Sequence, residues 1–423
     1  MIKPVRFNSR NWLCLLSISI GICFSFNGYG QTYADSVASK YKFIKPKKNR
    51  VENDSVGLER FYEHLYQLEI KSSKRVSIAH IGDSHIQADF FSGMLRQRFQ
   101  IDFGNAGRGL IFPYKVARTN EPSSYQTSSN VSWESKRNIF LDNPLPIGIG
   151  GITIKTMDSS AAIKLSVFDQ ASLDYGFSKL SIFQDKGPNV YDFMVYEDEN
   201  IIGFINSNLM MGGNFMSTVY FDKPRKNIIL KAYKRDSLQT YAQIYGLLLE
   251  NDQPGILYNT TGVNGAECRH CSASKYFFEQ LSYLNPDLVI ISMGTNEAFP
   301  RGFNRDRFYS QIDSLVMHIK RESPDVNILF TTPADSYRRK KYKNPDMQMA
   351  RNTIVNYCMK NEFSYWDLYE VMGGFGSMAK WKIKGLAAPD KVHFSRAGYE
   401  LQGKLLYSAI QDGYRSFKKR RHP

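Results

Sequence analysis

Three short stretches of this chain combine residue types that acyl transfer uses. The first is Gly82-Asp83-Ser84-His85, which follows the apolar run 76–81 and precedes a segment with Phe91, Met94, Leu95 and Phe99 at helical spacing. A serine where a strand turns into a helix can act as a nucleophile, because Gly82 permits a tight turn and the first helical amides face a developing negative charge. The same position also suits an N-cap serine, which needs no chemistry. The second stretch, Met293-Gly294-Thr295-Asn296-Glu297, comes directly after the apolar residues 288–292. A side-chain amide at a strand end can donate to an oxyanion, one such donor being worth roughly 10²–10³ in rate. Asparagine after a strand is also a common turn residue. The third is Asp390-Lys391-Val392-His393, just before the last helical segment. Asp and His three apart on one loop allow the carboxylate to hold one imidazole nitrogen while the other faces a serine hydroxyl.

The pattern around these stretches specifies how they are held. Residues 57–71 read as a helix with Leu58, Phe61, Leu65 and Leu68 on one face, 76–81 as a buried strand and 88–99 as a second helix. From about 113 to 252 the rhythm changes to short apolar runs, 162–168, 179–183, 190–196, 217–221, 227–233 and 241–249, separated by turn residues. That spacing indicates a β-sandwich of roughly 140 residues. After 255 the reading is helix 274–284, strand 288–293, helix 305–321, strand 326–330, helix 348–360, strand 364–368 and a last helix 396–410. Such alternation implies a parallel sheet with helices on both faces, in which ligands gather at the carboxyl ends of the strands. The expected fold class is therefore α/β, a three-layer α/β/α parallel sheet split by an inserted all-β sandwich. Residues 31–112 and 255–423 would form the α/β domain and 113–254 the insert.

Residues 1–30 stand apart. Lys3, Arg6 and Arg10 precede the apolar run 12–26, and Gly28 and Gly30 supply small residues before a cut at Gln31, as in a secretory signal peptide. The run is shorter than the roughly 20 residues of a membrane span and is interrupted by Ser17, Ser19 and Gly21, so no span is expected in the mature chain. Lys and Arg number 55 against 40 Asp and Glu, and loss of three signal-peptide cations leaves most of the +15 excess in place. A basic exported protein suits an anionic polymer or surface, while export separates it from nucleic acid. Beyond residue 30 only Cys268, Cys271 and Cys358 remain, too few for a disulfide framework in 423 residues. Residues 31–52, polar and carrying Lys45, Lys47, Lys48 and Arg50, are expected to be a poorly ordered lead-in.

Taken together, the order Ser84, Gly265, Asn296, His393 on a split α/β frame resembles the SGNH (GDSL-like) hydrolases. Gly82-Asp83-Ser84 is similar to that family's nucleophile motif and Gly262-Val263-Asn264-Gly265-Ala266 to its glycine block. Gly294-Thr295-Asn296-Glu297 is similar to its asparagine block, and Asp390 to His393 to its D-x-x-H block. The resemblance covers both α/β segments. It implies Ser84 as nucleophile, His393 as base and then acid, and Asp390 as the residue that orients and stabilises the imidazolium. It also implies an oxyanion hole made of the backbone amides of Ser84 and Gly265 with the side chain of Asn296, and no cofactor or metal. The longer run 81–112, with Phe90-Phe91, Leu95-Arg96 and the glycine-rich 104–109, resembles the peptidoglycan O-acetylesterases of Gram-negative bacteria. Those enzymes similarly carry a sandwich like a carbohydrate-binding module between nucleophile and glycine blocks. The implied activity is removal of O-acetyl groups from an acetylated polysaccharide, peptidoglycan first, in the periplasm or cell envelope. The sequence leaves open an acetyltransferase with the same acyl-enzyme, a deacetylase of another exported polysaccharide, and a glycan-binding protein that no longer turns over.

Cys268-Arg269-His270-Cys271 lacks the second ligand pair of a zinc site, which leaves a local disulfide or a pair of packed thiols. His85 is expected to be structural, since His393 has the partner Asp390, and His80, inside the first strand, to be a satisfied core histidine. Arg338-Arg339-Lys340-Lys341-Tyr342 forms a basic loop on the side of the sheet where the chemistry would lie. Arg338 and Arg339 are candidates for holding carboxylates of a peptide-bearing glycan, against the alternative of a solvated loop. The basic tail 418–422 is expected to be a solvated terminus.

Overall fold

The apolar runs before Ser84 and Asn296 become neighbouring strands of one six-stranded sheet. Its spatial order is Val51–Glu52, Ser364–Trp366, Asn327–Thr331, Leu288–Ser292, Arg75–Gly82 and Gly255–Gly262. All pairs are parallel except the edge pair Val51–Glu52 with Ser364–Trp366. The computed structural model describes residues 32–71, 74–140, 142, 145–209 and 215–421, so the expected signal peptide lies outside the described residues. From Tyr33 on, these residues form one unit.

Side chains alternate between the two faces of the sheet, which is why its strands read as continuous apolar runs. Val76, Ile78, Leu288, Ile290 and Leu329 enter one core together with the helices Glu59–Lys71, Phe90–Phe103 and Arg396–Arg421. Ala79, Ile81, Val289, Ile291, Ile328 and Phe330 enter the other with Phe277–Ser282, Arg305–Glu322 and Asp346–Lys360. The result is a three-layer α/β/α fold. Strand register then places the loops. Gly262, Gly82, Ser292, Thr331 and Trp366 stand opposite one another across five strands, so the loops after the first three begin side by side at one edge of the sheet.

The middle of the chain forms two antiparallel sheets. One runs Asn200–Ile205, Asp192–Glu197, Asn227–Tyr233, Ala162–Val167 and Tyr125–Ser129; the other runs Met216–Arg225, Phe177–Gln184, Ala242–Glu250, Ile152–Thr156 and Glu134–Arg137, with Gly109–Ile111 also on Ala242–Glu250. Ile163, Leu165 and Val167 point inward while Lys164 points out, the period of two that a one-sided sheet requires. This interior is continuous with one core of the α/β layers, for Leu165 and Phe193 share a cluster with Phe277 and Leu315. Gly109 marks the crossing point. Its φ is +78°, and a Cβ there would stand 2.5 Å from the carbonyl oxygen of Tyr258, so no other residue lets the two backbones approach this closely.

The same crossing holds a buried charge cluster. Asp89 follows the Ser84 helix in the left-handed region at φ 56° and accepts from Arg96 at 2.5 Å and Arg108 at 2.8 Å, all three side chains being at most 3% exposed. Burial pushes the Asp89 carboxyl up, but the two guanidiniums outweigh it and hold the group below its ordinary range.

Both chain ends differ from expectation. Instead of a loose lead-in, residues from Tyr33 form the helix Tyr33–Lys40 and the sheet edge Val51–Glu52. Ala34, Val37, Ile44 and Val51 are buried, and buried Asn49 donates to the Leu405 carbonyl at 3.0 Å and accepts from Trp366 Nε1 at 3.0 Å. A few anchoring residues outweigh a polar composition. The last helix likewise runs on to Arg421, not to 410. Phe417 is buried, Lys418 pairs with Glu69 at 3.0 Å and Arg421 pairs with Glu63, so the basic tail is docked on Glu59–Lys71 as far as Arg421.

Candidate active site

Ser84 opens a one-turn helix, Ser84–Gln87, capped by Asp83, whose Oδ1 accepts from the His85 amide at 2.9 Å. The turn packs tightly against the neighbouring loop, for a Cβ on Gly262 would lie 2.2 Å from the Gln87 nitrogen. A glycine is therefore required where the Gly262–Gly265 segment passes the Ser84 turn. Gln87 then clamps that segment. Its Oε1 accepts from the Asn264 amide at 2.8 Å while its Nε2 donates to Asn120 Oδ1 at 2.9 Å and Thr119 Oγ1 at 3.0 Å. Asn264 Nδ2 donates to the same Asn120 oxygen at 2.7 Å.

The Asp390–His393 loop arrives from the far side, pinned by the bridge between Ala387 and Phe394. Ser84 Oγ lies 2.9 Å from His393 Nε2, and His393 Nδ1 lies 2.8 Å from Asp390 Oδ2. Asp390 Oδ1 accepts from the amides of Val392 and His393 at 2.9 and 3.0 Å. Burial pushes the Asp390 carboxyl up, but the His393 bond and these amides prevail and hold it below the usual carboxylate range. A carboxylate that stays ionised keeps its proton-accepting face on Nδ1, which leaves the lone pair of Nε2 for the serine hydroxyl.

Asn296 follows Leu288–Ser292 and lies in the helix Thr295–Ala298. Its Nδ2 donates to the Ala266 carbonyl at 2.8 Å and reaches Asp83 Oδ2 at 3.3 Å, which joins the glycine segment, the asparagine segment and the serine turn. Burial pushes the Asp83 carboxyl up to about 7, against opposing effects of the His85 amide and His393. Ser84, Gly265, Asn296, Asp390 and His393 all line one cleft of about 700 Å³, together with Phe90, Phe299, Tyr337, Phe394 and Tyr399. Gly265 has φ +83°. A hydroxyl, an imidazole and a carboxylate in line, beside amides from three loops, have the equipment for nucleophilic attack on a carbonyl.

A sequence-family model, the GDSL-like lipase/acylhydrolase family, matches residues 231–401, a span that contains Gly265, Asn296, Asp390 and His393. Among solved structures, one titled "Peptidoglycan O-acetylesterase in action" matches with TM-score 0.70 and 23% identity, covering 84% of this chain and 96% of that one. The C-terminal part of the chain thus matches the GDSL-like lipase/acylhydrolase family, and the chain as a whole shares the fold of that solved esterase. A GDSL-like lipase from Bacteroides thetaiotaomicron is 21% identical over 37% of this chain and 76% of its own, with TM-score 0.30. A lipase/acylhydrolase from Enterococcus faecalis is 19% identical over 37% and 77%, also at 0.30. No curated protein sequence matches the chain.

Around this cleft the two arginine candidates part company. Arg338 is turned away from the cleft, donating to the carbonyls of Ala298, Phe299 and Pro300 at 3.0, 2.6 and 2.6 Å and to Asp346 at 2.6 Å. With its guanidinium so committed it fastens the loop and is not available to substrate. Arg339 lines the cleft, joined by Lys340. His85 donates or accepts at Tyr399 through Nδ1 at 2.9 Å and packs tilted behind His393, ring centroids 5.2 Å apart. Burial, followed by the neighbouring His393, pushes its pKa down to about 3, so it is neutral packing for His393. His80 is buried between Tyr258 OH at 2.9 Å and Ser292 Oγ at 2.7 Å. Cys268 and Cys271 are free, buried thiols and not a disulfide. Sequence reasoning missed Gln87 and Asn120. Gln87 sits three residues after Ser84, one helical turn along, which is a usable signal; nothing marks Asn120, which reaches the cleft from a loop leading into the sandwich.

Proposed function

We propose that the protein is an exported serine esterase that removes O-acetyl groups from a cell-wall glycan, peptidoglycan in the first place, through an acyl-enzyme on Ser84. His393 Nε2 takes the hydroxyl proton as Ser84 Oγ attacks the ester carbonyl. The tetrahedral oxyanion is met by the amides of Ser84 and Gly265 and by Asn296 Nδ2, which gives up its longer bond to Asp83 Oδ2 at 3.3 Å to do so. His393 then returns the proton to the sugar oxygen, which leaves as an alcohol. Water, deprotonated by His393, attacks the acetyl-serine and releases acetate and Ser84. Asp390 holds the imidazole throughout and stabilises its cationic form.

The observation that carries this reading is the unbroken line Ser84 Oγ, His393, Asp390 at 2.9 and 2.8 Å in an aromatic-walled cleft. The fold match along 84% of the chain supports the choice of substrate class. Export rests on the composition of residues 1–30 alone. Asn120 brings the inserted sandwich's entry loop to the cleft rim, which suits a role in positioning polymer. The test is acetate release from O-acetylated peptidoglycan by residues 31–423, beside Ser84→Ala. Release by the wild type alone supports the reading; equal release by the variant refutes it.

A further inference from the structure

We propose that Arg339 and Lys340 form a carboxylate-binding rim, so that the cleft selects glycans with an acidic group on or beside the acetylated sugar. The proposal rests on the esterase reading above. These two residues occupy the tip of a hairpin between Tyr337–Arg338 and Tyr342–Lys343, closed by the Lys341 amide on the Arg338 carbonyl at 3.2 Å. Both are left-handed, at φ 51° and 61°. That is a tight hairpin turn whose central positions favour Asn-Gly, and where Arg-Lys therefore carries backbone strain. Strain kept at two adjacent non-glycine residues facing a cleft is a pointer to function.

The hairpin is rigidly mounted. Arg338 staples it to the segment just after Asn296, Asn344 Nδ2 donates to the Ala298 carbonyl at 3.0 Å, and the Tyr337 amide donates to the Lys391 carbonyl at 2.9 Å. It is thus tied to both the asparagine loop and the Asp390–His393 loop. Lys391, itself at φ 57°, holds its Nζ 4.6 Å above the Tyr337 ring and adds a third cation at this edge. Among the described residues no ion pair engages Arg339 or Lys340, in contrast to Arg338 with Asp346. Among the described residues the one carboxylate lining the cleft, Asp390, is already held by His393 and two amides. Two exposed cations with no counter-ion among the described residues, lining the same cleft as Phe299 and Tyr337, suit a sugar that bears a carboxylate.

The test compares kcat/KM on O-acetylated glycans with free carboxyls and on the same glycans with those carboxyls amidated. Two acidic substrates, peptidoglycan with its stem peptides and a uronic-acid polysaccharide, distinguish a peptide or lactyl carboxylate from a ring carboxylate. The proposal expects the free-carboxyl form of at least one to be preferred by about tenfold at low salt, with the preference shrinking as salt screens it. Combining Arg339→Asn with Lys340→Gly keeps the turn chemistry and deletes the charge. It should bring the ratio close to one, whereas Arg339→Lys should keep most of it. An unchanged ratio in the Asn-Gly variant overturns the proposal, as does a wild-type ratio of one on both substrates. Acetate release from every glycan irrespective of charge would overturn the rim and leave the esterase reading standing. Failure on all glycans would remove both.

Discussion

Replacing Asp390 by asparagine isolates what one carboxylate contributes to the relay. In the native loop Oδ1 accepts from two backbone amides and Oδ2 meets His393 Nδ1. An asparagine keeps its oxygen on the two amides, which turns its NH2 toward Nδ1. The imidazole must then accept at Nδ1 and carry its proton on Nε2, where it can no longer take the proton of Ser84. Geometry survives while the tautomer is wrong. In a serine protease the equivalent change costs about 10⁴ in kcat, or about 5.4 kcal/mol of barrier at 1.36 kcal/mol per tenfold. Here the Asp390 side chain is 42% exposed, so water can partly stand in for it and the expected loss is about 10³. Stability should respond differently. A carboxyl held below its ordinary range contributes stability that is present above its unfolded-state pKa and lost as pH falls through the folded one. Because the group is so exposed, the variant should lose less than about 1 kcal/mol near neutrality and show a shallower decline in acid. The assays are kcat on an aryl acetate and thermal unfolding across pH 3 to 7, a window set around the ordinary carboxylate range. A kcat within tenfold of wild type would refute the reasoning.

Three other perturbations probe separate parts of the molecule. Asn296→Ala should lower kcat by roughly 10²–10³ with KM little changed if its amide serves the transition state as proposed; a change confined to KM would contradict that role. Asp89→Asn leaves two buried guanidiniums without their counter-charge, which should cost about 3–5 kcal/mol, or roughly 5 °C in Tm for a chain of this length. Calorimetry showing a shift of only about 2 °C or less would mean that the cluster does not tie the Phe90–Phe103 helix to the sandwich. Burial raises the thiol pKa of Cys268, Cys271 and Cys358 alike, so a thiol-directed alkylating agent should label them only after unfolding, and fast labelling of the native protein would disagree with their packing.

The layers of the fold are legible in the sequence because the strands are buried on both faces. Runs such as 288–292 and 76–81 admit few other readings, and the four motif blocks each follow such a run or precede a helix. Three loops can thus be matched to chemistry from residue types and spacing, while the glycine block 262–266 is marked by the family resemblance alone. Information carried by single contacts escapes such a reading. The segment 31–52 looks polar, yet Asn49, Val51 and a few apolar neighbours fix it to the sheet edge. The fate of Arg338 and Arg339 depends on a turn that starts between them, and no side-chain property distinguishes two adjacent arginines. Asn120 depends on Gln87 reaching across from the serine turn, a long-range hydrogen bond with no local sequence signature. The full length of the last helix is hidden by its charges, two of which, Lys418 and Arg421, pair with Glu69 and Glu63 on another helix.

The central claim is that Ser84 becomes acetylated and is then freed by water. Rapid acid quenching of the protein during turnover of an acetylated substrate, followed by mass spectrometry of its peptides, tests this directly. The account predicts one acetyl group on the peptide containing Ser84, more of it in the early turnovers than after substrate is exhausted, and none in Ser84→Ala. Acetyl on another residue, or steady turnover by Ser84→Ala without any acylated peptide, would contradict it.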